Sequence, residues 1–309
     1  MILHAPTAAQ AAVLTPHLPA THAVLDGDRL VGGVRLSVVR PGTRDVAFWV
    51  MPEERRRGVA TQAVRTLSER AEERLEIVTD ITDTISQRVA LAAGFTREAV
   101  RRGGGLHAGG RRDEVMWARL PGDPPGPAAR PLPGLPNGEL RDGEVSLRPL
   151  GPADVEDLFV LLNLADVRAR AVFRHERPRA EVAQRCTNAA SEWLAGNRAD
   201  FTIRVNDAFA GDIGLYNEAF SRQAMVGYSM LPEFRGRGAA TRAVRLLSAW
   251  AFEIGIERLV AGTMTDNATS QRVLAKAGFV RESVQRSRFD GPGGTRIDDV
   301  MHVLFPERG

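Results

Sequence analysis

The chain has 309 residues, enough for two domains of ordinary size, and mixes apolar and charged residues as a globular protein does. No apolar run approaches the ~18 residues of a membrane-spanning helix, and the lone Cys186 excludes an intrachain disulfide or a cysteine-held metal cluster. The formal charge of +3 is small, and nearly every cation is arginine, with Lys276 the only lysine.

The opening MILHAPTAAQAAVL has no basic leader, so no secretory signal is expected, and a reducing cytoplasm fits the single thiol. HAVLDGDRLVGGVRLSVV (22–39) is apolar and β-branched enough for strands. EERRRGVATQAVRTLSERA (53–71) then reads as an Arg/Gly turn opening a helix of small residues. RRGGGLHAGGRR (101–112) lies between two expected strands and reads as a flexible hairpin loop rather than an RNA-binding segment. The prolines and glycines of PGDPPGPAARPLPGLPNGELRDG (121–143) suit a stiff, partly extended linker.

Beyond that seam, VSLRPLGPADVEDLFVLLN begins with a strand and continues into a helix for which Asp154 is the expected cap. A further helix is expected from Glu181 to Leu194, and MVGYSML (225–231) reads as a strand. After the turn PEFRGRG, Ala240, Ala243, Val244, Leu247 and Ala251 fall on one helical face. Ile256 to Met264 reads as a strand, and Ser270 to Ala277 as a short helix closed by Gly278.

The two sides of the seam repeat each other. Residues 53–71 match 233–251 at twelve of nineteen positions; 79–98 match 263–282, and 113–120 match 298–305, in the same order. These matches indicate one domain written twice, with limits 1–120 and 144–309 around the linker 121–143. The first copy reaches its strands after about twenty residues, leaving no room for the helical pair of the second. Each copy orders its elements as strand, turn, helix, strand, helix, strand, which is an α/β domain.

An Arg-x-x-Gly-x-Ala turn that opens a helix suits a pyrophosphate. The first helical N–H groups lack partners, the macrodipole is positive there, and glycine lets backbone approach the phosphates. Ala60 and Ala240 keep the first turn narrow, while Arg55, Arg57, Arg235 and Arg237 are candidates for charge-assisted bonds. An Arg-rich surface turn before a helix is the plainer alternative.

This turn resembles motif A of the GNAT superfamily of acetyl-coenzyme A-dependent N-acetyltransferases. Asn267, Ser270 and Gly278-Phe279 match a second landmark of that family, and the opening and closing of the second copy resemble the branch that acetylates ribosomal-protein N-termini and small amines. The resemblance implies two GNAT-like domains, each a mixed, largely antiparallel sheet flanked by helices. It implies that backbone around Arg235, Gly236, Arg237, Gly238, Ala239 and Ala240 holds the coenzyme pyrophosphate, with Arg55, Arg57, Gly58 and Ala60 as counterparts in the first copy. Met230 would pair with the pantetheine arm, Asn267 would bond that arm or a water, and Ser270 would protonate the leaving thiolate. A plain cap for the following helix is the alternative for Ser270. The implied reaction is direct attack of a neutral amine on the thioester in a ternary complex, with positioning supplying much of the rate.

The sequence departs from the family at Met225, where a Glu is common, and at Arg242, just inside the helix. Glu218 is the candidate substitute base, with Asp212 beside it. In the first copy Asp45 matches Met225, but Asp83 replaces Asn267, so the second copy is expected to be the active one. The acceptor is expected to be a primary amine, on a small molecule, a lysine or a protein N-terminus. Aminoacyl-tRNA as the carrier stays open, as does a non-enzymatic acyl-coenzyme A sensor. The six histidines have no metal spacing, and neither a metal nor a membrane partner is expected.

Overall fold

β-Branched segments alternating with Ala-rich helices form two units in the computed structural model, dividing between Arg130 and Pro131. The described residues are 1–107, 109–172 and 174–307.

The first unit contains β1 (Ile2–His4), α1 (Ala8–Leu14), β2 (His22–Asp26), β3 (Arg29–Arg40), β4 (Thr43–Val50), α2 (Val59–Ser68), β5 (Arg74–Asp80), α3 (Thr84–Ala92), β6 (Thr96–His107) and β7 (Gly110–Arg119). Its sheet runs β1-β2-β3-β4-β5-β7-β6, and only β4/β5 is parallel. Its core includes the buried Phe95, Trp117, Leu75 and Ile77 and the apolar face of α2, with Val59, Ala63, Val64 and Leu67. α1 begins with a reciprocal capping box between Thr7 and Gln10, which satisfies two otherwise orphaned donors. The Arg/Gly stretch expected as a loop is instead mostly paired: β6 and β7 form a hairpin down to His107 and Gly110, with residue 108 outside the described residues.

The second unit contains β8 (Leu140–Asp142), β9 (Val145–Pro149), α4 (Val155–Asn163), α5 (Ala165–Arg170), α6 (Arg179–Leu194), β10 (Arg198–Val205), β11 (Ala208–Glu218), β12 (Gln223–Met230), α7 (Ala239–Glu253), β13 (Arg258–Met264), α8 (Ala268–Lys276), β14 (Val280–Asp290) and β15 (Arg296–Leu304). The order β14-β15-β13-β12-β11-β10-β9-β8 is antiparallel except at β12/β13. Both units are therefore mixed, largely antiparallel sheets flanked by helices. α7 buries Ala243, Val244, Leu247 and Ala251 in the main core, with Ala240 partly buried beside them. A separate small core joins α4, α6 and β11 through Leu158, Leu161, Val182, Cys186 and Phe209.

Two local details add to the expectations. Asp154 stands at the N-cap position of α4 as expected, but its carboxylate turns away from the helix N–H groups and accepts from the Gly151 N–H at 2.9 Å and from Arg204 at 2.6 Å, bracing the turn before the helix. The Pro/Gly-rich segment is anchored by local contacts. Ala128 N–H donates to the Leu91 carbonyl in the first unit, whereas Leu132 is fully buried in the second and Trp193 Nε1 donates to the Pro133 carbonyl.

Candidate functional site

In the second unit, β12 and β13 pair over only three residues, Gln223–Met225 against Arg258–Val260. Beyond Met225 they part, and the split opens toward the turn that follows β12. A cavity of about 1540 Å³ occupies this region, lined by β12, β13, α6, α7 and α8 residues among others. The turn reaches α7 through two left-handed glycines, Gly236 (φ 75°) and Gly238 (φ 83°). At this backbone geometry a side chain is strained, which is why glycine stands there. Gly236, Gly238, Ala239 and Ala240 all line the cavity, so the unpartnered N–H groups that open α7 lie at its wall.

Arg235 bends back to the end of the strand. Its Nε and Nη2 donate to the Met230 carbonyl at 3.0 and 2.7 Å, and Nη1 pairs with Asp166. Arg55 makes the same contact in the first unit, Nε to the Val50 carbonyl at 3.3 Å. These arginines brace the turn, Arg235 also lines the cavity, and the Met230 carbonyl is already engaged. Arg237 has no ion-pair or hydrogen-bond partner among the described residues and does not line the cavity, while Arg242, Arg272 and Lys276 do.

Asn267 is the cap of α8: its Oδ1 accepts from the Ser270 N–H at 3.2 Å. The capping alternative for Ser270 thus belongs to Asn267, and the Ser270 hydroxyl is free for another partner. That partner is Tyr228, whose hydroxyl lies 2.8 Å from Ser270 Oγ. Burial pushes the Tyr228 phenol up to about 12, although the Ser270 bond pulls the other way. Both residues line the cavity. Sequence reasoning did not single out Tyr228. Its signal was scarcity: the chain has two tyrosines, Tyr216 and Tyr228, and both face this cavity.

A charged cluster forms another wall. Arg185, from α6, bridges Asp200 and Asp212 at 2.8 and 2.9 Å through one nitrogen, and Arg198 grips Asp200 at 2.6 Å while lying 4.4 Å over the Tyr216 ring. Arg185, Arg198, Asp212 and Tyr216 line the cavity. Glu218 does not: its carboxylate, at the far end of β11, accepts from Gln223 at 3.1 Å and from Ser221 at 3.4 Å. The structure brings Ser270 into the site and leaves Glu218 outside it.

The first unit has the same frame with different contents. Gly58 takes the left-handed form (φ 78°), but Arg56, a non-glycine, adopts it (φ 61°) where the second copy has Gly236. Glu54 is 3% exposed and holds Arg57 at 2.7 Å and Arg29 at 2.5 Å, so Arg57 is neutralised within the turn. Ala60, inside α2, is partly buried as Ala240 is. Strand register places Phe48 where Tyr228 stands, so Ser86 meets no equivalent hydroxyl.

A family model described as acetyltransferase (GNAT) domain matches residues 144–280, and one described as acetyltransferase (GNAT) family matches residues 4–95. The chain belongs to the GNAT acetyltransferase family and carries its domain in tandem. Among curated relatives, it is 33% identical over 105 residues to a probable N-acetyltransferase, YjcK, of Bacillus subtilis (strain 168), covering 33% of this chain and 58% of that protein. It is 28% identical over 166 residues to a putative ribosomal N-acetyltransferase, YdaF, of the same organism, covering 52% of this chain and 87% of that one. The match thus spans less than two thirds of the first relative's length. A solved structure of RimL, a ribosomal L7/L12 α-N-protein acetyltransferase in complex with coenzyme A, shares the fold at TM-score 0.51 and 19% identity, over 54% of this chain and 97% of that one. Among the described residues no helix is long and apolar enough to cross a membrane, and no group of side chains is arranged to hold a metal.

Proposed function

We propose that the second domain transfers an acetyl group from acetyl-coenzyme A to a primary amine by direct attack. The observation that carries this reading is the split between β12 and β13, walled by the N-terminus of α7 and by the Tyr228–Ser270 hydroxyl pair. Backbone from Gly236 to Ala240 would receive the pyrophosphate, with Arg242, Arg272 and Lys276 supplying positive charge. The pantetheine arm would enter the split and complete the strand edge that β12 leaves unpaired. Asn267, whose Oδ1 is used by the cap, retains its amide donors for that arm. When the thioester is attacked, the departing thiolate needs a proton, and the Tyr228–Ser270 pair offers one from two coupled hydroxyls.

The relationship to a putative ribosomal N-acetyltransferase favours a protein N-terminus as the acceptor. Thioester turnover with any amine separates this reading from an acyl-coenzyme A sensor. Calorimetric titration with acetyl-coenzyme A tests the donor site. The wild type is expected to bind, and Gly238→Glu to abolish binding by placing a carboxylate against the pyrophosphate. A wild type that does not bind acetyl-coenzyme A removes the proposal.

A further inference from the structure

We propose that Asp212 receives the acceptor's ammonium group and takes its proton, in a hollow floored by Gly227. This rests on reading the second domain as an acetyl-coenzyme A-dependent amine acetyltransferase.

The register of β11 and β12 puts Asp212, Gly214 and Tyr216 on one face, opposite Ser229, Gly227 and Met225. Side chains alternate between faces along a strand, so these six positions share one surface. The two central positions lack side chains. A Cβ at Gly227 would meet only the Tyr216 ring, 3.8 Å away, whereas one at Gly214 would come within 3.1 Å of Asp200 Oδ1. The Asp200 carboxylate and the Tyr216 ring lie over Gly214, so the open dip is at Gly227, which lines the cavity together with Asp212 and Tyr216. Asp212 stands at one end of the dip. Arg185 holds its Oδ2, while its Oδ1 is buried and has no hydrogen-bond partner among the described residues. A buried carboxylate oxygen without a donor is costly, and an ammonium group lying on the glycine floor would supply that donor.

The surroundings suit proton removal. The groups facing Asp212 are Arg185 and Cys186 from α6, Asp200 and Arg198 from β10, and Tyr216 on its own strand. Burial is the largest influence and holds the Asp212 carboxyl above the usual range, with Asp200 pushing the same way and Arg185 and Arg198 pulling back. A carboxylate made more basic accepts an ammonium proton more readily. Burial also pushes the Cys186 thiol up to about 11 and raises the Tyr216 phenol, so neither neighbour competes for the proton near neutral pH.

The first domain provides the contrast. Register puts Gly33 where Asp212 stands, Arg35 where Gly214 stands and Ala47 where Gly227 stands. A Cβ at Gly33 would lie 2.8 Å from Ala20 Cβ and 3.1 Å from Leu14, so that place is filled by the end of α1 and the segment after it. There the hollow and its carboxylate are both missing.

In the reaction, Asp212 takes one proton from the ammonium and the neutral nitrogen attacks the thioester carbonyl carbon. The C–S bond breaks as the C–N bond forms, and the thiolate is protonated by the Tyr228–Ser270 pair. The nitrogen's second proton restores that pair. Asp212 returns the first proton to solvent, so ammonium and thioester become amide, free thiol and one released proton.

The test compares two probe amines near neutral pH on the full-length protein. Propylamine is almost wholly protonated there, like a lysine side chain, whereas trifluoroethylamine is already neutral. Asp212→Asn is expected to lower kcat/KM for propylamine by ~10²–10⁴-fold, to change trifluoroethylamine by less than about tenfold, and to leave acetyl-coenzyme A binding intact. Equal losses for both amines, or no loss, overturn the proposal. Arg185→Gln, which removes the counter-ion, is expected to move the acid limb of kcat/KM to higher pH; an unmoved limb counts against Asp212. If the wild type binds acetyl-coenzyme A but turns over neither amine, propylammonium titrated into the coenzyme A complex decides: binding lost in Asp212→Asn supports the proposal, and identical or absent binding overturns it. A wild type that fails to bind acetyl-coenzyme A overturns the donor reading instead, a separate result.

Discussion

Tyr228 and Ser270 lie 42 residues apart in the chain, and their meeting depends on Asn267. By capping α8 through the Ser270 N–H, Asn267 fixes the first turn of the helix and aims the serine hydroxyl across the split. The expected effect of Tyr228→Phe is therefore a loss in kcat of ~10²-fold, with acetyl-coenzyme A affinity changed little; steady-state kinetics beside calorimetry checks both. A second readout comes from alkaline stability. The folded phenol holds its proton to about 12 while an unfolded tyrosine releases it near 10, so the native state is penalised as pH rises through that interval. Denaturation of Tyr228→Phe should show a shallower loss of stability there than the wild type.

At the scale of elements, the helical pair that the first copy lacks determines the acceptor wall. α6 carries Arg185 into the cavity and packs Val182 and Cys186 in the small core with α4. Leu158 is fully buried in that small core. Leu158→Ala is expected to cost ~2–5 kcal/mol and to raise KM for the amine more than the Kd for acetyl-coenzyme A, since α7 and the turn rest on the other core. Thermal melting and the two affinities check it. The sequence made these elements legible, because strand and helix periods and the left-handed glycines are written in local residue types. It did not reveal the charged cluster. Arg185, Asp200 and Asp212 lie on three elements, and only sheet register and the seating of α6 bring them together. Glu218 misled for the same reason: its position in the chain is close to Met225, but Gln223 and Ser221 take up its carboxylate outside the cavity.

At the scale of the whole molecule, the two domains share a frame and differ in what fills it. The split persists in the first, since β4 and β5 pair only over Thr43–Asp45 and Arg74–Glu76. Its turn, however, holds the buried Glu54 and the left-handed Arg56, and its counterpart to Tyr228 is Phe48. Acetyl-coenzyme A is expected to bind with a stoichiometry of one per chain, unchanged by Gly58→Glu. Two equivalents in the wild type, falling to one in that variant, would show that the first turn still binds the coenzyme.

The return of Arg235 to the Met230 carbonyl, echoed by Arg55 at Val50, belongs to a set. Arg65 and Arg245 each reach a carbonyl at the end of the next helix, at Ala92 and Lys276, and Gln87 and Gln271 each gather two carbonyls just past a strand. These devices recur in both copies, whereas Asp212, Gly214, Gly227 and Tyr228 do not. The chain thus carries its own internal control: the braces it repeats hold a frame common to both copies, and the second copy alone adds Asp212, Gly227 and Tyr228 to it.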